Sequence, residues 1–224
     1  MRIRIGLLVV IAFASVLAPD ISIAQGAPGV RFLGFTPASF GGKLECRLAV
    51  AHALDRESIL AALRVRFGGA IQPATSIDHP RLPPWYTSPS VLPYDPGKAK
   101  QYLGQCGLSG PLAIKTGAFT TDFSRTVGAM TEGSLEKILG VDVTFEQVSN
   151  FQSLVADVRA AQVPVFMMGW QADSKDFGYP SFALGIANEL MSDPEIKDLV
   201  AKRDGKAVAE TLITKGWVIP ILFF

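Results

Sequence analysis

LAIKTGAFTTDFSRTVGAMTEGSLEKILGVDVTFEQVSNFQSLVADVRAAQVPVFMM, residues 112–168, is the stretch on which the fold turns. Leu112-Ala113-Ile114-Lys115-Thr116 reads as a strand. From about Asp122 to Leu139 a helix carries Val127, Met130, Leu135 and Ile138, and Gly140 stops it. Val141, Val143 and Phe145 then alternate with Asp142, Thr144 and Glu146, the two-residue period of a half-buried strand. Asn150 caps a helix with Phe151, Leu154, Val155 and Val158 on one side, and Pro164 to Met168 is a short apolar strand. Strand, helix, strand, helix, strand at these lengths predicts βαβ units on a sheet.

Upstream, Asp95 is a natural N-cap and Pro96 suits the first helical position. Ala99, Tyr102, Leu103 and Cys106 follow as one apolar stripe, and Gly107 offers the left-handed conformation that ends helices. Residues 68 to 97 hold too many prolines and turn formers for regular structure. Before them, Ala- and Leu-rich composition predicts a helix from Lys43 to Leu54 with Leu44, Leu48 and Ala51 on one face. Asp55 caps a second helix through Leu63, and Phe32-Leu33-Gly34-Phe35 reads as a strand. Downstream, one helix is expected from about Asp193 to Leu212, then a strongly apolar run from Trp217 to Phe224.

The N-terminus has the three-part pattern of a secretory signal: Arg2 and Arg4, an apolar run from Ile5 to Leu17, and small residues at Ser22 and Ala24. Cleavage is expected after Ala24, leaving residues 25–224 as the mature body. The whole chain has 224 residues, with 21 Lys+Arg against 20 Asp+Glu. That is one ordinary domain with a real core, and its charge balance leaves no electrostatic footprint for nucleic acid. In an oxidising compartment Cys46 and Cys106 could form a bridge, and each could equally be a small buried apolar residue.

Enzyme and metal motifs are missing from the sequence. Two histidines, His52 and His79, offer no zinc spacing, and there is no nucleophile elbow, phosphate loop or dinucleotide fingerprint. Neither an enzymatic activity nor a cofactor is expected. What stands out is Met168-Gly169-Trp170-Gln171-Ala172-Asp173-Ser174-Lys175-Asp176-Phe177-Gly178-Tyr179-Pro180, which leaves the carboxyl end of a strand, where βαβ sheets present ligand sites. Trp170 could wall a pocket, and a partly desolvated Asp173 would pair with a ligand amine. The plainer reading is a surface turn whose Trp fills the core and whose Asp residues cap a helix.

Three segments resemble one known family. Cys46-Arg47-Leu48-Ala49-Val50-Ala51-His52-Ala53-Leu54-Asp55-Arg56-Glu57-Ser58-Ile59 resembles the R-x-A-x-x-x-A-x-D-R-x-x-I helix of family 5 solute-binding proteins. These are periplasmic oligopeptide, dipeptide and nickel receptors of ABC importers. Pro93-Tyr94-Asp95-Pro96-Gly97-Lys98-Ala99-Lys100-Gln101-Tyr102-Leu103, closing at Cys106-Gly107-Leu108, is similar to its Y-D-P-x-K-A-K-x-L-L…A-G motif. Gly169-Trp170 with Asp173 and Asp176 is similar to its G-W-x-x-D-x-x-D segment. The match runs from about residue 30 to 190.

The resemblance implies an α/β fold: a single lobe of a type II (class C) periplasmic binding protein, with βαβ units on a mixed sheet and the first lobe missing. It implies a periplasmic protein that binds a small peptide or similar amine and meets an ABC permease. It places the peptide's α-amino group on Asp173, with Trp170 beside the peptide and Asp176 in a more structural position. Departures are Phe177, where the family has Pro, and Lys175 between the two acids. The run from Trp217 to Phe224 resembles the one that crosses into the other lobe, so an exposed apolar strand is expected there. That strand motivates an alternative: a single-lobe interaction protein pairing with itself or with a second envelope protein.

Overall fold

The computed structural model describes residues 28–68, 71–81, 91–171 and 181–224, and the expected signal segment 1–24 lies outside them. The alternation read from residues 112–168 folds as β3 (Leu112–Gly117), α5 (Asp122–Leu139), β4 (Val143–Val148), α6 (Phe151–Arg159) and β5 (Val165–Gln171). Each start is set by its cap. Thr121 and Ser124 form a capping box on α5, and the Asn150 side chain accepts from Gln152 N–H on α6. Gly140 ends α5 at φ 66°, a conformation that costs glycine nothing.

β3 lies between β4 and β5 and runs parallel to both. The chain therefore steps outward from β3 to β4, then back across β3 to β5. Right-handed crossovers put α5 and α6 on opposite faces. Their neighbours differ accordingly: α5 packs against α2 (Leu44–Ala53), α3 (Arg56–Phe67) and α4 (Pro96–Cys106), and α6 against α7 (Phe182–Leu190). β1 (Gly29–Phe35) is antiparallel to β5 on one side and to β6 (Val218–Phe223) on the other. The two-residue β2 (Gln72–Pro73) pairs with β6, giving the mixed order β2-β6-β1-β5-β3-β4. Phe32, Phe35, Phe166 and Phe223 are fully buried in the core on this sheet.

The apolar tail corrects one expectation. β6 is buried along its whole length between β1 and β2, so it presents no exposed strand for association. A second correction concerns α2. Ala51 is buried as expected, together with Cys46, Ala49, Val50 and Ala53, whereas Leu44 is 40% exposed. Cys46 is joined to Cys106 of α4 by a disulfide, with the two Cα atoms 4.9 Å apart, and α2 turns the face that bears it inward.

The expected long helix after Asp193 is two helices, α8 (Pro194–Ala201) and α9 (Gly205–Thr214). Arg203 takes φ 55° between them, and the Asp204 carboxylate accepts from Ala207 N–H to start α9. The remaining short helix α1 (Ser39–Gly42) leads into α2.

The residues of the Arg-Ala motif have structural work in this fold. Arg47 Nε donates to Lys215 O at 2.7 Å, and its guanidinium lies 3.7 Å from the Trp217 ring centre. Arg56 Nε donates to Pro220 O at 2.6 Å, and its Nη1 donates to Leu92 O at 3.0 Å. The two arginines thus tie α2 and α3 to the tail strand and its approach. His52 is buried with its Nδ1 2.8 Å from Pro93 O and its ring stacked on Tyr102.

Candidate ligand-binding cleft

Because β4 and β5 flank β3 on opposite sides, the sheet has a switch point between β3 and β5, where helices leave toward different faces. A cavity of about 340 Å³ lies there. Thr116 and Gly117 of β3 and Gly169 and Gln171 of β5 form part of its wall, and Thr121 and Ser124 bring in the start of α5. From the antiparallel neighbours come Arg31 of β1 and Phe224, whose backbone pairs with Gly29 in both directions.

A second hollow of about 340 Å³ adjoins it on the α6–α7 side, lined among others by Phe151, Val155, Arg159, Trp170 and Leu190. Phe151, placed by its spacing on the buried side of α6, is instead 52% exposed and stands at the mouth of both hollows. Arg159 and Glu189 form an ion pair across this rim, and Arg159 Nε also donates to Glu189 O at 2.8 Å.

Trp170 sits in β5 opposite Val30, half-buried, and walls the second hollow. Its indole lies over Gly185 of α7, where an added Cβ would be 2.8 Å from Cζ2, so only glycine leaves room for the ring. Asp173 and Asp176 lie outside the described residues. The ends of their segment are fixed: Gln171 belongs to β5, and Ser181 caps α7.

Ser181 is held by a buried carboxylate. Asp78 accepts from Ser181 Oγ at 2.9 Å and from Ala183 N–H at 3.2 Å. Burial raises the Asp78 pKa to about 6, only partly offset by those donors. Its neighbour His79 shifts the other way, to about 4, because its ring is buried against Phe223 and Arg81 lies close; its Nδ1 also accepts from Arg81 N–H.

The two groups have opposite linkage. Asp78 contributes stability at low pH that is lost as pH rises from about 4 to about 6. His79 contributes stability at high pH that is lost as pH falls from about 6.5 to about 4. In the wild type the slopes largely cancel. Asp78→Asn, which keeps an oxygen for Ser181 and Ala183, should raise stability at pH 7 and uncover a fall in Tm between pH 6.5 and 4.5. Melting curves across that range check it, and parallel wild-type and variant profiles would refute it.

Sequence reasoning missed Arg31. The signal was present as the lone charge in Gly29-Val30-Arg31-Phe32-Leu33-Gly34-Phe35, but its setting depends on Gly169, its register partner in a distant strand.

The family model of bacterial extracellular solute-binding proteins, family 5 Middle, matches residues 15–186. OppA of Burkholderia pseudomallei superposes with a TM-score of 0.68 at 18% identity, over 92% of this chain and 46% of that one. OppA of Haemophilus influenzae, solved with the peptide RPPGFSPFR, gives 0.67 at 16% identity over 89% and 43%. DppA of Helicobacter pylori, solved with the peptide STSA, gives 0.63 at 20% identity over 88% and 43%. The chain thus spans less than half the length of these structures. No curated protein sequence matches it.

Proposed function

We propose, because this chain belongs to the family 5 bacterial extracellular solute-binding proteins, that it is an exported lobe binding a small peptide or similar amine for an ABC importer. The observation that carries this reading is the pair of adjoining hollows at the carboxyl ends of β3 and β5, with Trp170 in the wall. Ligands of open α/β sheets bind at such a switch point. The segment leaving β5 carries Asp173, whose carboxylate takes the ligand's ammonium group in a charge-assisted hydrogen bond. Trp170 supplies apolar contact beside it, and Asp176, the second acid of the motif, takes the more structural role.

Titration of the mature protein with a di- and tripeptide library tests this. Peptides with a free α-amino group should raise Tm, N-acetylated counterparts should not, and Asp173→Asn should abolish the response. A flat library response, or an undiminished one in the variant, refutes the reading.

Export is part of the same proposal and draws support from the Cys46–Cys106 bridge, since disulfides persist in oxidising compartments. The mature protein should begin at Gln25. N-terminal sequencing of material from the envelope fraction decides this, and an intact Met1 would count against it.

A further inference from the structure

Among the described residues, Arg31 is a cation without a counter-charge. Its Nε is sealed from solvent and has no hydrogen-bond partner, and no ion pair reaches Arg31 among the described residues. The guanidinium lies beside Gly169, where an added Cβ would be 3.3 Å from both Cζ and Nη1. Glycine at that position leaves space for the group on the cavity wall. The Phe224 ring, with its centre 5.9 Å from Cζ, offers cation–π attraction and no acceptor.

Arg31 is half-buried with its Nε sealed, and this desolvation, which an unpaired charge does not recover, holds the guanidinium pKa below the ordinary arginine value. The surroundings provide no local relief. Among the described residues lining the cavity there is no acid. Thr121 and Ser124 bring in the positive end of an 18-residue helix instead. Asp122, the acid of that first turn, faces away, engaged by Arg66 at 2.6 Å and Arg125 at 3.3 Å.

We propose that Arg31 and the start of α5 form an oxyanion subsite, so that the solute carries a carboxylate or phosphate group docked on Arg31. This rests on the reading of the cleft as a solute site, and it adds the sign of charge the solute must bear. A planar guanidinium suits either oxyanion through paired N–H donors.

The test titrates the mature protein with succinate and with inorganic phosphate, against sodium chloride at equal ionic strength. At about tenfold over half-saturation, at least one should raise Tm by about 3 °C or more beyond chloride. Which anion does so identifies the group. Arg31→Gln should lose this shift without lowering its own Tm in chloride, since it removes an unpaired charge. Arg31→Lys, which keeps the charge and loses the fork, should retain a reduced shift. A structural arginine would instead destabilise the ligand-free protein when replaced.

Tri-alanine and its C-terminal amide separate this inference from the one beneath it. If both peptides stabilise equally, and neither anion acts, the cleft binds solute and the Arg31 subsite is overturned. If succinate or phosphate acts through Arg31 while both peptides are silent, the subsite stands and the peptide reading falls. Equal anion responses in wild type and Arg31→Gln overturn it as well.

Discussion

Reduction of the Cys46–Cys106 disulfide lowers Tm by roughly 8–16 °C. The bridge closes a loop across a sequence separation of 60. Constraining a loop of that size in the unfolded chain contributes about 4 kcal/mol. For a chain of this size each kcal/mol shifts Tm by about 2–4 °C. The loop contains α3 and the proline-rich passage, so the unfolded chain gains much freedom when the bridge opens. It also joins α2 to α4, which the stacking of His52 on Tyr102 holds as well. Cys106→Ser and dithiothreitol treatment should give matching shifts. A Tm that moves by less than about 2 °C under either would mean that the bridge adds little to this fold.

Arg56→Met costs about 3 kcal/mol of unfolding free energy. Arg56 is buried, and burial lowers its pKa to about 10, so part of the native stability is spent on desolvating it. Methionine removes that expense and keeps most of the volume. What it leaves behind decides the sign. Pro220 O and Leu92 O both lose a charged donor, at roughly 1.5–3 kcal/mol for each such bond. The lost bonds outweigh the recovered desolvation. Arg56→Lys should fare little better, because one ammonium cannot reproduce a fork aimed at two separate carbonyls. Urea denaturation measures both variants, with exposed Arg203→Met as a control expected within about 0.5 kcal/mol of wild type. A loss below about 1 kcal/mol in Arg56→Met would show that the clamp on β6 is incidental.

Elements with local signals were legible before any coordinates. Asp95, Asn150 and Asp55 cap where their side chains predicted, and α5 runs from Asp122 to Leu139 as read. Their information is carried within one or two turns of chain. The inward face of α2 depended on a partner cysteine in another helix, so composition alone placed Ala51 inside correctly and Leu44 wrongly. α7 escaped notice because every residue from Phe182 to Ala187 is buried, which erases amphipathic periodicity.

Strand order was equally opaque. Val218–Phe223 was recognisably apolar, but whether it lies at an edge or inside a sheet is set by pairing with Gly29–Phe35, far away in sequence. In the candidate site, Trp170 was visible from its motif, whereas Arg31 acquired meaning only when Gly169 was found beside it. Asp173 and Asp176 rest on the motif alone.

The placement of β1 carries a kinetic consequence. Phe32 pairs with Met168 on one side and Pro220 on the other, so the middle of the sheet cannot zip up until remote parts of the polypeptide have met. Such high contact order slows folding, because chain-closure entropy is lost before the pairing rewards it. Under the proposed export, a sluggish central strand would keep the polypeptide pliable while it is threaded through a translocation pore.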